Sequence, residues 1–111
     1  AIINKDTGKE VRFKYPIKKV IRTSNCVFVL LDVSENENAT DNIYCLTSKL
    51  DVLWRVKPLS EKFPAIKVLP YVDMTVVATP TNNQLYAFDM YCRRFHISMW
   101  SGDVLGYEIE K

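Results

Sequence analysis

The chain has little of what catalytic and cofactor sites usually require. It has a single histidine, and its three glycines (Gly8, Gly102 and Gly106) do not form a cluster. A loop that holds phosphate through its backbone needs several glycines within a few residues. The sequence also has no CxxC, HxxxH or carboxylate cluster. It therefore predicts no phosphate loop, no metal site and no cofactor.

Long apolar runs are also missing. The longest one is Cys26–Leu31, far short of the roughly 20 residues that a membrane-spanning helix needs. No charged and then apolar leader opens the chain, although a leader removed before Ala1 stays open as an alternative. We therefore expect no membrane partner.

Neither sign of charge dominates. The 15 lysines and arginines face 13 aspartates and glutamates, which gives a net charge of +2. Domains that bind nucleic acid usually concentrate a basic excess on one face. The balance predicts no nucleic-acid partner.

The cysteines are few and odd in number. Cys26, Cys45 and Cys92 include no close pair, whereas a secreted domain of this size more often carries an even set. We expect three reduced thiols and a cytoplasmic location.

Alternating apolar residues, by contrast, fill most of the chain. No run of helical spacing reaches eleven residues, and the strongest local helix signal is a possible turn at 60–63. Valine, isoleucine, tyrosine, phenylalanine and threonine dominate the alternating segments, as in β-strands. These segments are 10–15, 18–23, 26–33, 42–47, 52–57, 65–70, 75–80, 84–89, 95–100 and 104–109. The sequence predicts an all-β protein of about ten short antiparallel strands.

The strand pattern also repeats. Residues 43–46 align with 85–88, and 52–54 with 94–96, each 42 positions later; 26–30 align with 74–78, 48 positions later. A period near 42 with about four strands is typical of β-propeller blades. We expect one domain over 1–111 with two to three such units, and Leu46 and Phe88 as an equivalent buried pair.

The repeats resemble the blades of quinoprotein-dehydrogenase-like (PQQ-type) β-propellers. The resemblance lies in "DTGKEVRF" (6–13), "NIYCLTSKLDVLWRV" (42–56) and "NQLYAFDMYCRRFHI" (83–97). Asp6–Lys9 keeps the "TGk" turn of that family, and Trp54 keeps the tryptophan that packs between neighbouring blades. The family's cofactor site needs a closed ring of blades, so the resemblance implies blade architecture without the dehydrogenase chemistry.

So short a chain supplies too few blades to close a ring. Unclosed blades would expose residues such as Trp54 to water, because each repeat buries its faces against its neighbours. Three outcomes follow: the strands close as a two-sheet sandwich or barrel, the open faces bind another protein or a second copy, or the chain is a fragment of a longer propeller.

Cys92 and His96 are the candidates for reactive chemistry. Four residues apart on one strand, they would lie about 13 Å from each other, too far to hold one ion together. Neither has a recognisable orienting partner in the sequence. We expect no enzyme, and activity through Cys92 or His96 is the weakest alternative.

The segment "YCRRFHISMW" (91–100) favours recognition. If Phe95, Ile97 and Met99 point inward, the opposite strand face carries Arg94, His96, Ser98 and Trp100. Tyr91 and Arg93 would extend that surface from the adjoining turn. Tryptophan and arginine are enriched at binding hot spots. The alternative is that Trp100 packs on strand 104–109 and the arginines are solvated.

A second candidate surface is the polar loop 32–42. It carries Asp32, Glu35, Glu37 and Asp41 and no basic residue, so it would suit a basic partner. The sequence therefore predicts a protein-binding module, most concretely a small bacterial immunity-type protein that neutralises a toxin by binding it. The alternative is a structural or scaffolding fragment of a longer β-propeller.

Overall fold

Strands make up all the regular structure of the described residues. The computed structural model describes residues 2–3, 8–34, 40–58 and 67–109, and no helix occurs among them. The strands are β1 (Ile2–Ile3), β2 (Glu10–Val11), β3 (Ile17–Arg22), β4 (Cys26–Leu31), β5 (Ile43–Thr47), β6 (Val52–Arg55), β7 (Tyr71–Ala78), β8 (Asn83–Asp89), β9 (Arg93–Ile97) and β10 (Val104–Ile109). The all-β prediction is confirmed.

Eight of these strands form two four-stranded antiparallel sheets. The first sheet has the order β3-β4-β5-β6 and the second the order β10-β9-β8-β7, while β1 and β2 pair separately. In both large sheets each strand pairs with its neighbour in sequence, so short turns join most of the strands. Of the arrangements that the sequence left open, the structure is the two-sheet sandwich.

The main core lies between the two sheets. Phe28, Ile43 and Trp54 come from the first sheet, and Leu85 and Phe95 from the second. All five are buried, and the Phe28 and Trp54 rings lie 6.1 Å apart. Large apolar side chains from both sheets thus leave water together, which is the main term that holds such a sandwich closed.

A second apolar cluster covers the other face of the first sheet. Val27, Val29 and Leu31 of β4 project into it, and Val11 and Phe13 of the N-terminal segment pack against them. Strand β4 is therefore buried on both faces. This double burial explains why β4 reads as an unbroken apolar run instead of an alternating one.

The second sheet is buried on one face only. In β8 the residues Leu85 and Ala87 are buried, whereas Tyr86 and Phe88 are half-buried on the opposite face. The prediction that Phe88 is buried with Leu46 is therefore wrong. Leu46 is buried because the N-terminal segment covers the outer face of its sheet, and the described chain provides no such layer over Phe88.

Strand pairing supports only part of the predicted repeat alignment. Ile43 and Leu85, 42 positions apart, both face the core between the sheets. Trp54, however, pairs with Cys45, and the corresponding partner of Ala87 is Phe95. Trp54 thus corresponds to Phe95 and not to His96, because irregular pairing next to Cys45 shifts the register by one residue.

Several predicted strand bounds need correction. Residues 67–70 contain no strand, and 65–66 and the possible turn at 60–63 lie outside the described residues. In 10–15 only Glu10–Val11 is a strand, and 98–100 belong to a turn after β9. The described residues 12–15, 67–70 and 98–100 have no strand pairing, whatever their side-chain alternation.

Asn42 joins the two sheets at one end of the sandwich. Its buried amide donates to the carbonyl oxygens of Leu31 (2.9 Å) and Tyr71 (2.8 Å). Its Oδ1 accepts from the backbone N–H of Tyr71 at 3.0 Å. One side chain therefore connects the end of β4 to the start of β7.

Within the described part of the chain, no helix has the length and apolar character needed to cross a bilayer.

Candidate recognition surface

The turn between β9 and β10 presents the most exposed large apolar side chain. This residue is Trp100, which is 94% exposed. The turn is closed by the hydrogen bonds Ser98 N to Asp103 O (2.8 Å) and Gly102 N to Ser98 O (3.0 Å). Trp100 is thus held in water by a structured turn, and the alternative that it packs on strand 104–109 is wrong.

The turn is also anchored to the first sheet. The indole Nε1 of Trp54 donates to the carbonyl oxygen of Met99 at 2.9 Å. The backbone N–H of Lys57 donates to the carbonyl oxygen of Gly102, also at 2.9 Å. Gly102 has a φ of +78°, and a side chain there would meet the Trp54 ring. The close approach of these two residues fixes the position from which Trp100 projects.

An open groove of about 580 Å³ runs beside Trp100 at this end of the sandwich. Leu53, Met99 and Leu105 supply apolar surface, and four amide side chains (Asn25, Asn82, Asn83, Gln84) supply hydrogen-bonding groups. None of the fourteen described residues that line it is Lys, Arg, Asp or Glu. Its volume lies in the range of ligand-binding clefts, and its chemistry suits an uncharged occupant.

A smaller hollow of about 290 Å³ lies on the outer face of the second sheet. The His96 ring stacks on Tyr86 with 5.0 Å between centroids, and the Arg94 guanidinium lies 4.9 Å from the Tyr86 centroid on the same face. Arg94 also forms an ion pair with Glu108, its neighbour on β10. Gly106, opposite His96, leaves open space between these side chains.

His96 lines both hollows, so they form one continuous surface. We call the residues Leu53, Arg94, His96, Trp100 and Leu105 the Trp100 surface. It combines an exposed indole, an imidazole, two aliphatic side chains and one guanidinium.

Three of the residues that the sequence predicted for recognition line the two hollows. Arg94 and His96 face outward from β9 as the alternation indicated, and Trp100 follows in the turn. Tyr91 is exposed, but it lies in the turn before β9, at the opposite end of that strand from Trp100. Tyr91 therefore does not belong to the Trp100 surface.

The prediction that Arg93 extends the contact surface is wrong, because this side chain is buried. Its guanidinium pairs with Asp89 at 2.7 Å and donates to the carbonyl oxygen of Lys67 at 2.7 Å. Asp89 also accepts from the backbone N–H groups of Tyr91 and Arg93. The pair holds the β8–β9 turn together, which is a structural role.

The acidic loop is described only at its two ends. Glu35 and Glu37 lie outside the described residues, and Asp32 is exposed. Asp41 pairs with Arg55 at 3.0 Å, and its carbonyl oxygen accepts from Arg55 Nε at 2.9 Å. Asp41 thus has a basic partner within the chain.

The sequence pattern did not indicate Leu53 and Leu105 as parts of the Trp100 surface, or Met99 as a residue that lines the groove. Leu53 and Leu105 are more than half exposed on the edge strands β6 and β10. Both stood in alternating apolar segments, which do not reveal that a strand lies at a sheet edge. Only strand order could identify them.

The described part of the chain has no cluster of metal-ligating side chains. No group of three or more His, Cys, Asp or Glu side chains there is placed to hold a metal ion. Burial, with a smaller contribution from Cys26, raises the pKa of the Cys45 thiol to about 12. A thiol with so high a pKa is a poor nucleophile.

Residues 3–109 match the family model described as "Domain of unknown function (DUF7957)". The chain belongs to this family. No curated protein and no solved structure matches the chain.

Proposed function

We propose that this DUF7957 chain is a protein-binding module and that the Trp100 surface is its contact face. The main support for this proposal is that Trp100 is 94% exposed on a hydrogen-bonded turn. Tryptophan gives a large contact area at a low cost in conformational entropy, and a structured turn lowers that cost further.

The distribution of exposed apolar side chains supports the same face. Of ten exposed large apolar residues in the described chain, six lie on β6, β10 or the turn before β10. These six are Val52, Leu53, Trp100, Leu105, Tyr107 and Ile109. Apolar side chains concentrated on one side of a small domain are typical of an interaction site.

The Trp100→Ala variant tests the proposal in a pull-down from the native cells, with Val77→Ala as the matched control. Val77 is an exposed strand residue outside both hollows. We expect a specific partner with wild type and the control, and a loss of about 2 kcal/mol or more of its binding free energy in Trp100→Ala. Because the indole is exposed, thermal stability should not change. The same partners retained on all three proteins would contradict the proposal.

Arg94 provides a second variant. A charge reversal to Glu would place two carboxylates side by side, because Arg94 faces Glu108. Arg94→Gln removes the charge without that repulsion. We expect weaker binding for Arg94→Gln if the partner presents a carboxylate to this end of the surface.

The immunity-type form of the proposal adds that the partner is a toxin whose active face is covered. It rests on the sequence arguments of chain length and few catalytic groups. Recovery of a toxin as the partner lost in Trp100→Ala would establish it, and any other class of partner would exclude it.

A further inference from the structure

The edge strands β6 and β10, one from each large sheet, lie on the same side of the sandwich. At the other side, Lys19 of β3 donates to the carbonyl oxygen of Met74 in β7 at 2.8 Å and pairs with Asp73 at 3.0 Å. This ties those two edges together. On the side of β6 and β10, the described ties are the bonds from Trp54 and Lys57 to the β9–β10 turn. Within the described ranges, no further hydrogen bond or ion pair joins β6 to β10.

Strand β10 is six residues long and has one described partner, β9. Its other backbone edge pairs with no strand in the described ranges. Proteins usually protect such an edge with charged side chains, because unpaired N–H and C=O groups invite another strand. The only charged residue of β10 is Glu108, and its carboxylate is held by Arg94.

The edge is continuous with the uncharged groove. An irregularity in pairing between Val104 and Gly106 leaves Leu105 unpaired, and Leu105 lines the groove. Bulges of this kind re-aim a side chain next to binding sites. A strand laid along β10 would therefore pass the groove beside Leu105 and Trp100.

We propose that the partner contributes an extended segment that pairs with β10 as a fifth strand of the second sheet. An uncharged, apolar side chain of that segment fills the groove beside Trp100. Backbone hydrogen bonds supply affinity and the groove supplies specificity, as in other cases of strand addition. This inference rests on the proposed protein-binding function and specifies the form of the partner.

Uncharged side chains are expected because the described lining of the groove contains no Lys, Arg, Asp or Glu to pair with a charge. A charge moved from water into this lining would lose hydration without gaining an ion pair. Alternate side chains of a strand point to the same face, so the segment should alternate, with apolar residues at every second position.

Random linear peptides displayed on phage serve as the probe, panned against the wild-type chain. We expect enriched peptides that alternate and lack charge at the apolar positions. Their binding should blue-shift the Trp100 fluorescence, with Trp100→Phe giving the background from Trp54. Leu105→Lys should weaken binding about tenfold or more, while Val77→Lys, which changes a similarly exposed strand residue away from the groove, should leave it unchanged.

Hydrogen exchange of the β10 amides provides the second measurement. Bound peptide should slow exchange of those β10 amides that exchange fast in the free protein. Binding that depends on Trp100 but leaves β10 exchange unchanged would overturn strand addition and leave the protein-binding function standing. Failure to enrich any peptide, enrichment of charged peptides, or a dimer of the free chain with β10 already protected would also overturn it.

Discussion

Phe95 and Phe88 lie on opposite faces of the second sheet. Phe95 is fully buried between the sheets, where its ring meets that of Tyr71 at 5.5 Å. Phe88 is half-buried on the outer face. The same residue type therefore has a different energetic weight on neighbouring strands.

Truncation of these two side chains measures the difference. Phe95→Ala should destabilise the fold by about 3–5 kcal/mol, because it removes contacts and leaves a cavity. Phe88→Ala should cost roughly 1–2 kcal/mol, since less of its area leaves water on folding. Denaturant unfolding of both variants gives the comparison, and equal losses would mean that the two faces of β8 and β9 are assigned wrongly.

The buried thiol of Cys45 links pH to stability. Its pKa in the fold is about 12 against an ordinary value of 9.0, chiefly because of burial. The folded pKa is raised, so the contribution is complete below pH 9 and is lost as pH rises through about 12. Between these values the unfolded chain loses a proton that the folded chain keeps.

Wild type should therefore lose more stability between pH 9 and 11 than Cys45→Ala does. Unfolding by denaturant across that range measures the difference, and the variant corrects for lysine and tyrosine titration. Thiol labelling provides a control at neutral pH: exposed Cys92 should react in the native protein and Cys45 only after unfolding. Parallel pH profiles would show that Cys45 is solvated.

At the level of elements, the β9–β10 turn depends on one glycine. Gly102 adopts a φ of +78°, and an added Cβ would lie 2.6 Å from the Trp54 ring. Both the backbone conformation and the close approach require the absence of a side chain.

Gly102→Ala should therefore destabilise the protein by about 1–3 kcal/mol or more. Gly106→Ala is the matched control, because an added Cβ there meets nothing within 4 Å. Thermal unfolding distinguishes the two. If Gly106→Ala proved the more damaging variant, the described packing of the turn on Trp54 would be incorrect.

For the whole molecule, Asn42 is the polar link between the sheets. Its side chain makes three hydrogen bonds, to Leu31 and Tyr71, and is almost fully buried. Removing it leaves buried backbone groups without their partner, which costs roughly 1–3 kcal/mol for each such group.

Asn42→Ala should consequently lose at least about 2–3 kcal/mol of stability. Asn42→Asp should recover none of the loss, because an ionised carboxylate would be buried facing two carbonyl oxygens to which it cannot donate. Asn83→Ala, at an exposed strand position, should change little. No difference between the variants at 42 and 83 would show that the sheets do not depend on this link.

The local sequence pattern predicts the all-β class and most strands, because side-chain alternation with period two is a local property. It also determined the inward and outward faces of β9, where Phe95 and Ile97 are buried and Arg94 and His96 are not. These features follow from the pleat of a single strand.

Contacts between distant parts of the chain determine which of the other side chains remain in water. Leu46 is covered by the N-terminal segment, Arg93 is buried against Asp89, and Trp100 is left exposed by its turn. Each outcome depends on a layer or a partner supplied by another part of the chain. The edge position of β10, on which the proposed strand addition rests, is likewise a property of strand order, because no single strand encodes how many neighbours it will have.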